Sequence, residues 1–378
     1  MLIASAGCTE RSVADAPDCT LRALAHAGGS AGGHLCAIAE DESLWCWGVD
    51  TFGQLGQGEH SESNSLPRPV PGGDWSQAGV GGKQSCATRT DGSLWCWGGN
   101  DFGQLGLGAA SDDPVLRPTR VGTANDWTSV AAGGVHSCGL RGAGTLWCWG
   151  GNDSGALALG SDEAVVPMPA RVGDAQDWDH VTLGIHHGCG VRRDGSLWCW
   201  GDNALGQLGQ GLDLQPFPSP TQVGIGQDWS LIRTGAGHTC ALARDGSLWC
   251  WGSHQSGALG LGEEDEQNPL DFEPRRVGDA TDWVDLALGG FQTCARKTDE
   301  SLWCWGQNGD GELGVGFVGD VWVPTRLAGN GWLDVALAGF DCGIAADGSP
   351  ACWGFFVPPH SVDEGPMREP ESIECVAK

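Results

Sequence analysis

Hydrophobic residues occur in short runs along the whole chain, and glycine, asparagine or aspartate bounds each run. In one example, a run that starts at Trp178 ends in glycine, and a second run follows around Cys189. An Asp-Gly pair, the string Leu-Trp-Cys-Trp-Gly and a looser segment ending at Pro220–Val223 come next. Short runs separated by turn residues are typical of β-strands, so this stretch predicts four strands in one antiparallel sheet.

The same arrangement repeats seven times with a period of about fifty residues. Leu-Trp-Cys-Trp-Gly occurs six times, and the last unit has Ala-Cys-Trp-Gly in its place. Seven four-stranded antiparallel sheets repeated radially predict an all-β fold, a seven-bladed β-propeller. We assign residues 20–378 to one propeller and residues 1–19 to an N-terminal signal remnant or anchor tail. An open solenoid is the alternative, but solenoids usually need polar end caps, which we do not find in the sequence.

Each unit has a second cysteine ten positions before the cysteine of the Trp-Cys-Trp string. A three-residue loop at 90–92 places Arg89 opposite Ser93, and therefore Cys86 opposite Cys96. Directly opposed cysteines have a Cα separation that a disulfide accepts, so we expect seven hairpin bridges. The predicted pairs are Cys36–Cys46, Cys86–Cys96, Cys138–Cys148, Cys189–Cys199, Cys240–Cys250, Cys294–Cys304 and Cys342–Cys352.

Free buried thiols and a thiophilic metal are the alternatives to these bridges. A metal site needs converging ligands, whereas each cysteine pair is about one blade away from the next. Glu42 and Glu300 replace the turn glycine in two units, so we expect distorted turns there. Seven bridges indicate an oxidising compartment, and we expect an extracytoplasmic protein.

Three cysteines, Cys8, Cys19 and Cys375, fall outside this pattern. Cys19 and Cys375 lie just outside the first and last predicted strands, and a propeller closes by bringing its ends together. We therefore expect a Cys19–Cys375 disulfide. Cys8 follows a short apolar and small-residue segment that resembles the end of a bacterial lipoprotein signal, although a basic start is missing. Lipidation of Cys8 is one expectation, and an unpaired tail thiol is the other.

The repeated units resemble RCC1 repeats, the propeller repeat of the regulator of chromosome condensation. The resemblance covers all seven units and rests on the Gly-x-x-His-x-Cys run that ends at Cys138, on Asp-Gly-Ser-Leu-Trp-Cys-Trp-Gly, and on Gly-Gln-Leu-Gly. It implies a seven-bladed propeller and, by analogy with the namesake, guanine nucleotide exchange. No residue constellation for exchange can be carried over. The paired cysteines are closer to bacterial members that act outside the cytoplasm.

The net charge of the chain disfavours two classes of binding partner, nucleic acids and anionic membranes. The chain has 48 acidic and 20 basic residues, and its formal charge is −28. This charge argues against binding to nucleic acid and against docking to anionic lipid. No run of about 18 apolar residues predicts a membrane-spanning helix.

The periodic tryptophans and histidines have structural interpretations. Burial of each tryptophan between blades stabilises the fold, and a sugar-binding platform is the alternative. Histidine and glutamine alternate at one equivalent position, which predicts a hydrogen-bonding role rather than metal ligation. These residues are His34, Gln84, His136, His187, His238 and Gln292.

The units differ most between Gly-Gln-Leu-Gly and Pro-x-x-Val, and variable loops on a rigid scaffold often bind partners. Our leading hypothesis is a non-enzymatic, monomeric, protein-binding propeller, secreted or surface-anchored, whose acidic field attracts a basic protein to one rim. We predict no cofactor, no metal site and no catalytic residue. The candidate partner-binding residues are Glu263, Glu264, Asp265, Glu266 and Trp322.

Two other functions remain open. The first is a guanine nucleotide exchange factor, which an oxidising compartment disfavours because that compartment lacks the small GTPase. The second is a propeller lyase or hydrolase, for which the sequence offers no convergent acid–base set. Asn308, Asp310 and Glu312 alternate like part of a calcium loop, but they fall where other units have Gly-Gln-Leu-Gly.

Overall fold

A computed structural model of the chain describes residues 20–26, 33–224, 226, 228–262, 270–329, 331–339, 341–354, 367–373 and 375. Within these residues, 28 strands form seven four-stranded antiparallel sheets, and strands that are neighbours in sequence pair in each sheet. Two single-turn 3-10 helices, Asp153–Gly155 and Gln255–Gly257, accompany them. The predicted all-β fold of seven four-stranded blades is confirmed.

Each blade is one continuous stretch of chain. The strands are, for blade 1, β1 (Leu21–Leu24), β2 (His34–Ala39), β3 (Leu44–Val49) and β4 (Ser63–Pro69); for blade 2, β5 (Trp75–Val80), β6 (Gln84–Arg89), β7 (Leu94–Asn100) and β8 (Ser111–Arg120); for blade 3, β9 (Trp127–Ala132), β10 (His136–Arg141), β11 (Thr145–Gly151) and β12 (Val165–Arg171); for blade 4, β13 (Trp178–Leu183), β14 (His187–Arg192), β15 (Leu197–Gly201) and β16 (Phe217–Gln222); for blade 5, β17 (Trp229–Thr234), β18 (His238–Ala243), β19 (Leu248–Ser253) and β20 (Leu270–Arg276); for blade 6, β21 (Trp283–Leu288), β22 (Gln292–Lys297), β23 (Leu302–Gly306) and β24 (Val321–Arg326); and for blade 7, β25 (Trp332–Leu337), β26 (Asp341–Ala345), β27 (Pro350–Gly354) and β28 (Met367–Ser372). The first strands of neighbouring blades contact one another, so they form the inner wall of the ring.

The Asp-Gly hairpin sets the register that opposes the cysteines. In blade 2, the Gly92 N–H donates to the Arg89 carbonyl at 2.9 Å, and Gly92 has a φ of +74°. Glycine takes this left-handed conformation without steric cost. Cys86 consequently faces Cys96, with 4.1 Å between their Cα atoms. All seven expected hairpin disulfides are present, and all fourteen cysteines are fully buried.

The expectation of distorted turns at Glu42 and Glu300 is wrong. Both glutamates adopt the left-handed conformation, with φ of +63° and +62°. The Glu42 N–H donates to the Ala39 carbonyl at 3.0 Å, as glycine does in blade 2, and the disulfide register is unchanged. The local cost of this conformation is about 1–2 kcal/mol, and the paired strands and the bridge hold the turn in spite of it.

The Asp-Gly-Ser-Leu-Trp sequence forms a chain of hydrogen bonds around the same turn. The Asp91 carboxylate accepts bonds from the backbone N–H and the hydroxyl of Ser93, at 2.9 and 2.6 Å. The Ser93 hydroxyl in turn accepts a bond from Trp95 Nε1 at 2.9 Å. These bonds to Ser93 lower the pKa of the Asp91 carboxyl. The motif therefore fixes both the turn and the first tryptophan of the third strand.

The ring closes between blade 7 and blade 1. The Leu21 N–H donates to the Gly348 carbonyl at 2.9 Å, and the Leu24 N–H donates to Asp334 Oδ2 at 2.8 Å. One buried cluster contains Trp47 of blade 1 and Ile344 of blade 7. An open solenoid is therefore excluded.

Cys375 is disulfide-bonded. Cys19 and Cys8 lie outside the described residues, as do all of residues 1–19. The Cys19–Cys375 bridge and the lipidation of Cys8 stay predictions.

Candidate functional site

The antiparallel order of the strands places two connections of every blade on one face of the ring. This loop face, as we call it, consists of the connections from first to second strand and from third to fourth strand. Lys83, between β5 and β6, lies 4.6 Å above the ring of Phe52, between β3 and β4. A side chain on Gly237, between β17 and β18, would meet Leu205, between β15 and β16. The connections of successive blades therefore contact each other.

The Gly-Gln-Leu-Gly segment joins each loop to the next blade. The Gln104 carbonyl of blade 2 accepts bonds from Trp149 Nε1 and the Ser137 hydroxyl of blade 3, both at 2.9 Å. A Cβ atom at Gly106 would lie 2.9 Å from the same Trp149 nitrogen, so only glycine fits there. Equivalent tryptophan bonds join four other pairs of blades, and their acceptors are the carbonyls of Gln54, Ala156, Gln207 and Ala258. Periodic tryptophan packing between blades is thus observed.

The histidines also join neighbouring blades. Nε2 of His34 lies 2.8 Å from the Ser85 hydroxyl of the next blade. His187 and His238 make the same contact with threonines of the next blade, at 3.2 and 3.0 Å. The predicted hydrogen-bonding role is therefore present at these three histidines, and the structure adds that the bond crosses between blades. At His136 the prediction is wrong, because both of its buried ring nitrogens lack a hydrogen-bond partner. Burial lowers the pKa of His187 to about 3 and that of His238 to about 4, so both are neutral at pH 7.

The loop face exposes most of the large apolar side chains on the surface. In the described part of the chain, eleven large hydrophobic side chains are exposed, and seven belong to connections between third and fourth strands. Exposed apolar side chains grouped on one face are typical of interaction surfaces. The seven are Phe52, Phe102, Leu205, Leu212, Leu214, Phe317 and Val318.

The predicted partner-binding residues are only partly placed. Trp322 lies on β24, half-buried, with its ring 5.6 Å from that of His254 in blade 5. It therefore packs between two blades and keeps one side accessible. Glu263, Glu264, Asp265 and Glu266 lie outside the described residues. Their roles in binding remain predictions.

A cation lies between two tryptophan rings at several clefts between blades. The Arg89 guanidinium is 4.7 Å from the ring centre of Trp75 and 4.3 Å from that of Trp95. Such contacts are favourable because the faces of aromatic rings are electronegative. The equivalent trios in blades 3, 4 and 6 are Arg141 with Trp127 and Trp147, Arg192 with Trp178 and Trp198, and Lys297 with Trp283 and Trp303.

These four sites, each formed by one basic side chain and two tryptophans of the same blade, are called cation clefts below. They were not predicted from the sequence. The signal was available, because the last residue of the second strand is basic in all four units. In three of them, an aspartate directly before the first tryptophan pairs with the cation, at 2.8 to 3.8 Å. These aspartates are Asp126, Asp177 and Asp282.

A second feature missed from the sequence is a buried polar cluster on the inner strands of blades 4 to 7. Nη1 of Arg233 lies 2.6 Å from Nε2 of His180, and Nη2 lies 3.9 Å from Asp285. Burial and, to a smaller extent, the neighbouring Arg233 lower the pKa of His180 to about 3. Burial and the neighbouring Asp285 raise the pKa of Asp334 to about 6.

The cavity beside this polar cluster is too small to bind a substrate. The adjoining cavity, lined by His180 and Arg233 among others, holds about 50 Å³. That volume accommodates a few waters rather than a substrate. We therefore assign the cluster a structural role. Among the described residues, no group of His, Cys, Asp or Glu side chains is arranged to hold a metal ion, and no helix is long and apolar enough to cross a membrane.

Comparisons with known proteins agree with this architecture. A family model described as the regulator of chromosome condensation (RCC1) repeat matches more than half of the chain, at residues 41–88, 91–140, 194–242 and 245–296. A second model of the same description matches residues 76–104, 127–156, 178–207, 229–258 and 283–312.

Curated relatives share part of their length with this chain. The ultraviolet-B receptor UVR8 of Arabidopsis thaliana is 30% identical over 190 residues, which are 50% of this chain and 42% of UVR8. The probable E3 ubiquitin-protein ligase HERC4 of Homo sapiens is 32% identical over 307 residues, 79% of this chain and 28% of HERC4. The match therefore spans less than half of either relative.

Solved structures show the same fold at low identity. Human WBSCR16 superposes with a TM-score of 0.78 at 18% identity, over 88% of this chain and 94% of that one. Prp20p of Saccharomyces cerevisiae superposes with a TM-score of 0.76 at 21% identity, over 89% and 87% of the two chains. These structures show the shared fold, and the repeat matches over more than half of the chain show that it belongs to the regulator of chromosome condensation (RCC1) repeat family.

Proposed function

We propose that this propeller is a non-enzymatic scaffold of an extracytoplasmic, oxidising compartment and that it binds a basic protein through its loop face. The observation that carries the proposal is the concentration of exposed apolar side chains on the variable connections of that face. The blades below are fixed by disulfides and by hydrogen bonds between blades, so the loops start from rigid positions. Such a surface binds without a large ordering cost.

The charge of the chain supports a basic partner. A formal charge of −28 attracts cationic proteins over a distance and speeds their encounter, and salt screens this attraction. The seven disulfides support the compartment, because such bonds persist in oxidising surroundings. A secreted or lipid-anchored form, with the anchor at Cys8, belongs to the same proposal.

The test is capture of partners by the full chain from the envelope and secreted fractions of its own cells. The L212D/F317D variant places two carboxylates on the loop face, and we expect it to lose at least about tenfold in captured partner. The T90D/T298D variant adds the same charge at exposed positions of two hairpins between second and third strands, on the opposite face, and should capture normally. Equal capture by both variants, or a partner whose binding does not weaken with salt, would refute the proposal.

Guanine nucleotide exchange is the second candidate, and the shared fold with Prp20p favours it. The binding of Prp20p to Gsp1p and to histones has been characterised. Acceleration of nucleotide release from a small GTPase by this chain would support the exchange function and refute the scaffold proposal. We expect no acceleration, since reducing compartments that contain such GTPases would open the seven bridges.

A further inference from the structure

Blade 5 has a cation cleft without its cation. The rings of Trp229 and Trp249 lie 6.2 Å apart at 84°, and those of Trp283 and Trp303 in blade 6 lie 6.3 Å apart at the same angle. In blade 6, Lys297 occupies the space between the rings. The equivalent residue of blade 5 is Ala243, whose methyl group cannot reach it. The aromatic cage therefore keeps its shape and lacks its charged occupant.

The basic residues nearest to this cage in sequence have other partners. Arg244, the residue after Ala243, pairs with Asp228 at 2.7 Å. Arg276, opposite Trp249 in the sheet, donates to the carbonyl of Asp279 at 3.0 Å. Within the described residues, no cation lies over either ring of the blade 5 cage.

A carboxylate borders the open cage. The cleft between blades 4 and 5 has a volume of about 400 Å³, and Gln210, Trp229, Trp249, Glu273 and Pro274 line it together with backbone of the preceding blade. Glu273 is exposed and precedes the proline of Pro-x-x-Val. The residues at that position in blades 2, 3, 4 and 6 are Arg117, Met168, Ser219 and Val323. Among the five blades that have both cage tryptophans, blades 2 to 6, blade 5 alone has an acid at this position and alone lacks the internal cation. Blade 7 has Glu369 at this position but has only one cage tryptophan.

We propose that this cleft binds an arginine side chain of a basic protein. The cleft flanks the Asp-Gly hairpin of blade 5, on the face opposite the loop face, so this inference goes beyond the loop-face proposal and does not depend on it. The ring pair of blade 5 matches the pair that holds Lys297, so it suits a cationic side chain, and three of the four filled cages contain arginine. A guanidinium can also donate two parallel bonds to a carboxylate such as Glu273, which an ammonium cannot. Glu273 supplies the countercharge that the aspartate of the Asp-Trp pair supplies in three of the filled cages. In blade 5 that aspartate, Asp228, is held by Arg244.

The experiment titrates N-acetyl-arginine amide into the full chain labelled with 5-fluorotryptophan. It follows the ¹⁹F signals assigned through W229F, W249F, W178F and W198F. We expect saturable shifts for Trp229 and Trp249. The A243R variant fills the cage from within, as in blades 2 to 4, and should weaken binding at least about tenfold. N-acetyl-citrulline amide, which is neutral and of equal shape, should not bind.

Two further measurements, one on the R192A variant and one with choline, test whether the cage selects an arginine side chain. R192A removes the cation of blade 4, and we expect it to add arginine-dependent shifts at Trp178 and Trp198. Choline tests whether any organic cation suffices, and binding of choline tighter than that of the arginine amide would overturn the assignment to arginine. Unchanged binding in A243R would overturn the site. Normal arginine binding together with equal partner capture by the unaltered chain and L212D/F317D would overturn the scaffold function and leave this site standing.

Discussion

The hydrogen-bond chain between blades 5 and 6 makes a quantitative prediction. The Thr293 hydroxyl donates to the Ala258 carbonyl at 2.9 Å and lies 3.0 Å from Nε2 of His238. Because a hydroxyl has one proton to donate, Nε2 of His238 must donate the second bond. Both Thr293 and His238 are fully buried. T293V keeps the shape of the side chain and leaves the buried Nε2–H without an acceptor.

A buried donor without a partner costs about 1–3 kcal/mol, so we expect T293V to lower the free energy of unfolding by that amount. The Ala258 carbonyl keeps its bond from Trp305 Nε1 at 3.0 Å and adds little to the cost. H238L combined with T293V removes both partners. The double variant should therefore lose less than the sum of the single losses, by about 1 kcal/mol or more.

The assay is urea unfolding of the oxidised protein, followed by tryptophan fluorescence and circular dichroism together. S137A is the matched control, because the Ser137 hydroxyl has one bond, to the Gln104 carbonyl, which also accepts from Trp149. We expect S137A to cost less than about 1 kcal/mol. A T293V cost below about 0.5 kcal/mol, or additive single and double variants, would refute the reasoning.

Three further predictions concern single elements. Burial lowers the pKa of His187 from its usual 6.5 to about 3, so below pH 6.5 the unfolded chain binds more protons than the folded chain and the free energy of unfolding falls as the pH is lowered. H187Q should remove about 1.4 kcal/mol per pH unit of that slope between pH 6.5 and 4, measured by urea titrations at each pH. Replacing Cys86 and Cys96 by alanine opens a bridge of separation 10 and should cost about 2.7 kcal/mol from chain entropy, measured by the shift in urea midpoint at constant slope. E42G relieves a left-handed glutamate and should raise the free energy of unfolding by about 1 kcal/mol, and a loss of stability would contradict this.

Local geometry explains why the fold and the disulfides could be predicted from the sequence. A three-residue loop fixes the register of Cys86 and Cys96, and repetition of that loop fixes the blade. The distorted turn expected at Glu42 was wrong because a local conformational cost is smaller than the combined effect of the strand pairing and the bridge. Sequence patterns within one unit identify features of that unit, and the disulfide and blade predictions depended only on these patterns and on their repetition.

Features formed by several units escaped prediction for a physical reason. The buried polar cluster takes its residues from four different blades. His180, Asp285 and Asp334 each lie two residues after the opening tryptophan of their blade, but the residue type at that position differs between units, so no repeated motif marks them. The cation clefts are periodic, yet the basic residue of each looks like a solvated strand end in the sequence. Its contact with two tryptophans depends on how adjacent strands are arranged in the folded blade.

The most direct test of the central claim, a disulfide across every hairpin of the ring, is disulfide mapping by proteolysis and mass spectrometry without reduction. Thiols of the denatured, unreduced protein are first blocked with iodoacetamide. We predict seven linked peptide pairs with cysteines ten residues apart, and no label on those fourteen cysteines. Labelled hairpin cysteines, or bridges that join different blades, would contradict the hairpin geometry and the oxidising compartment together.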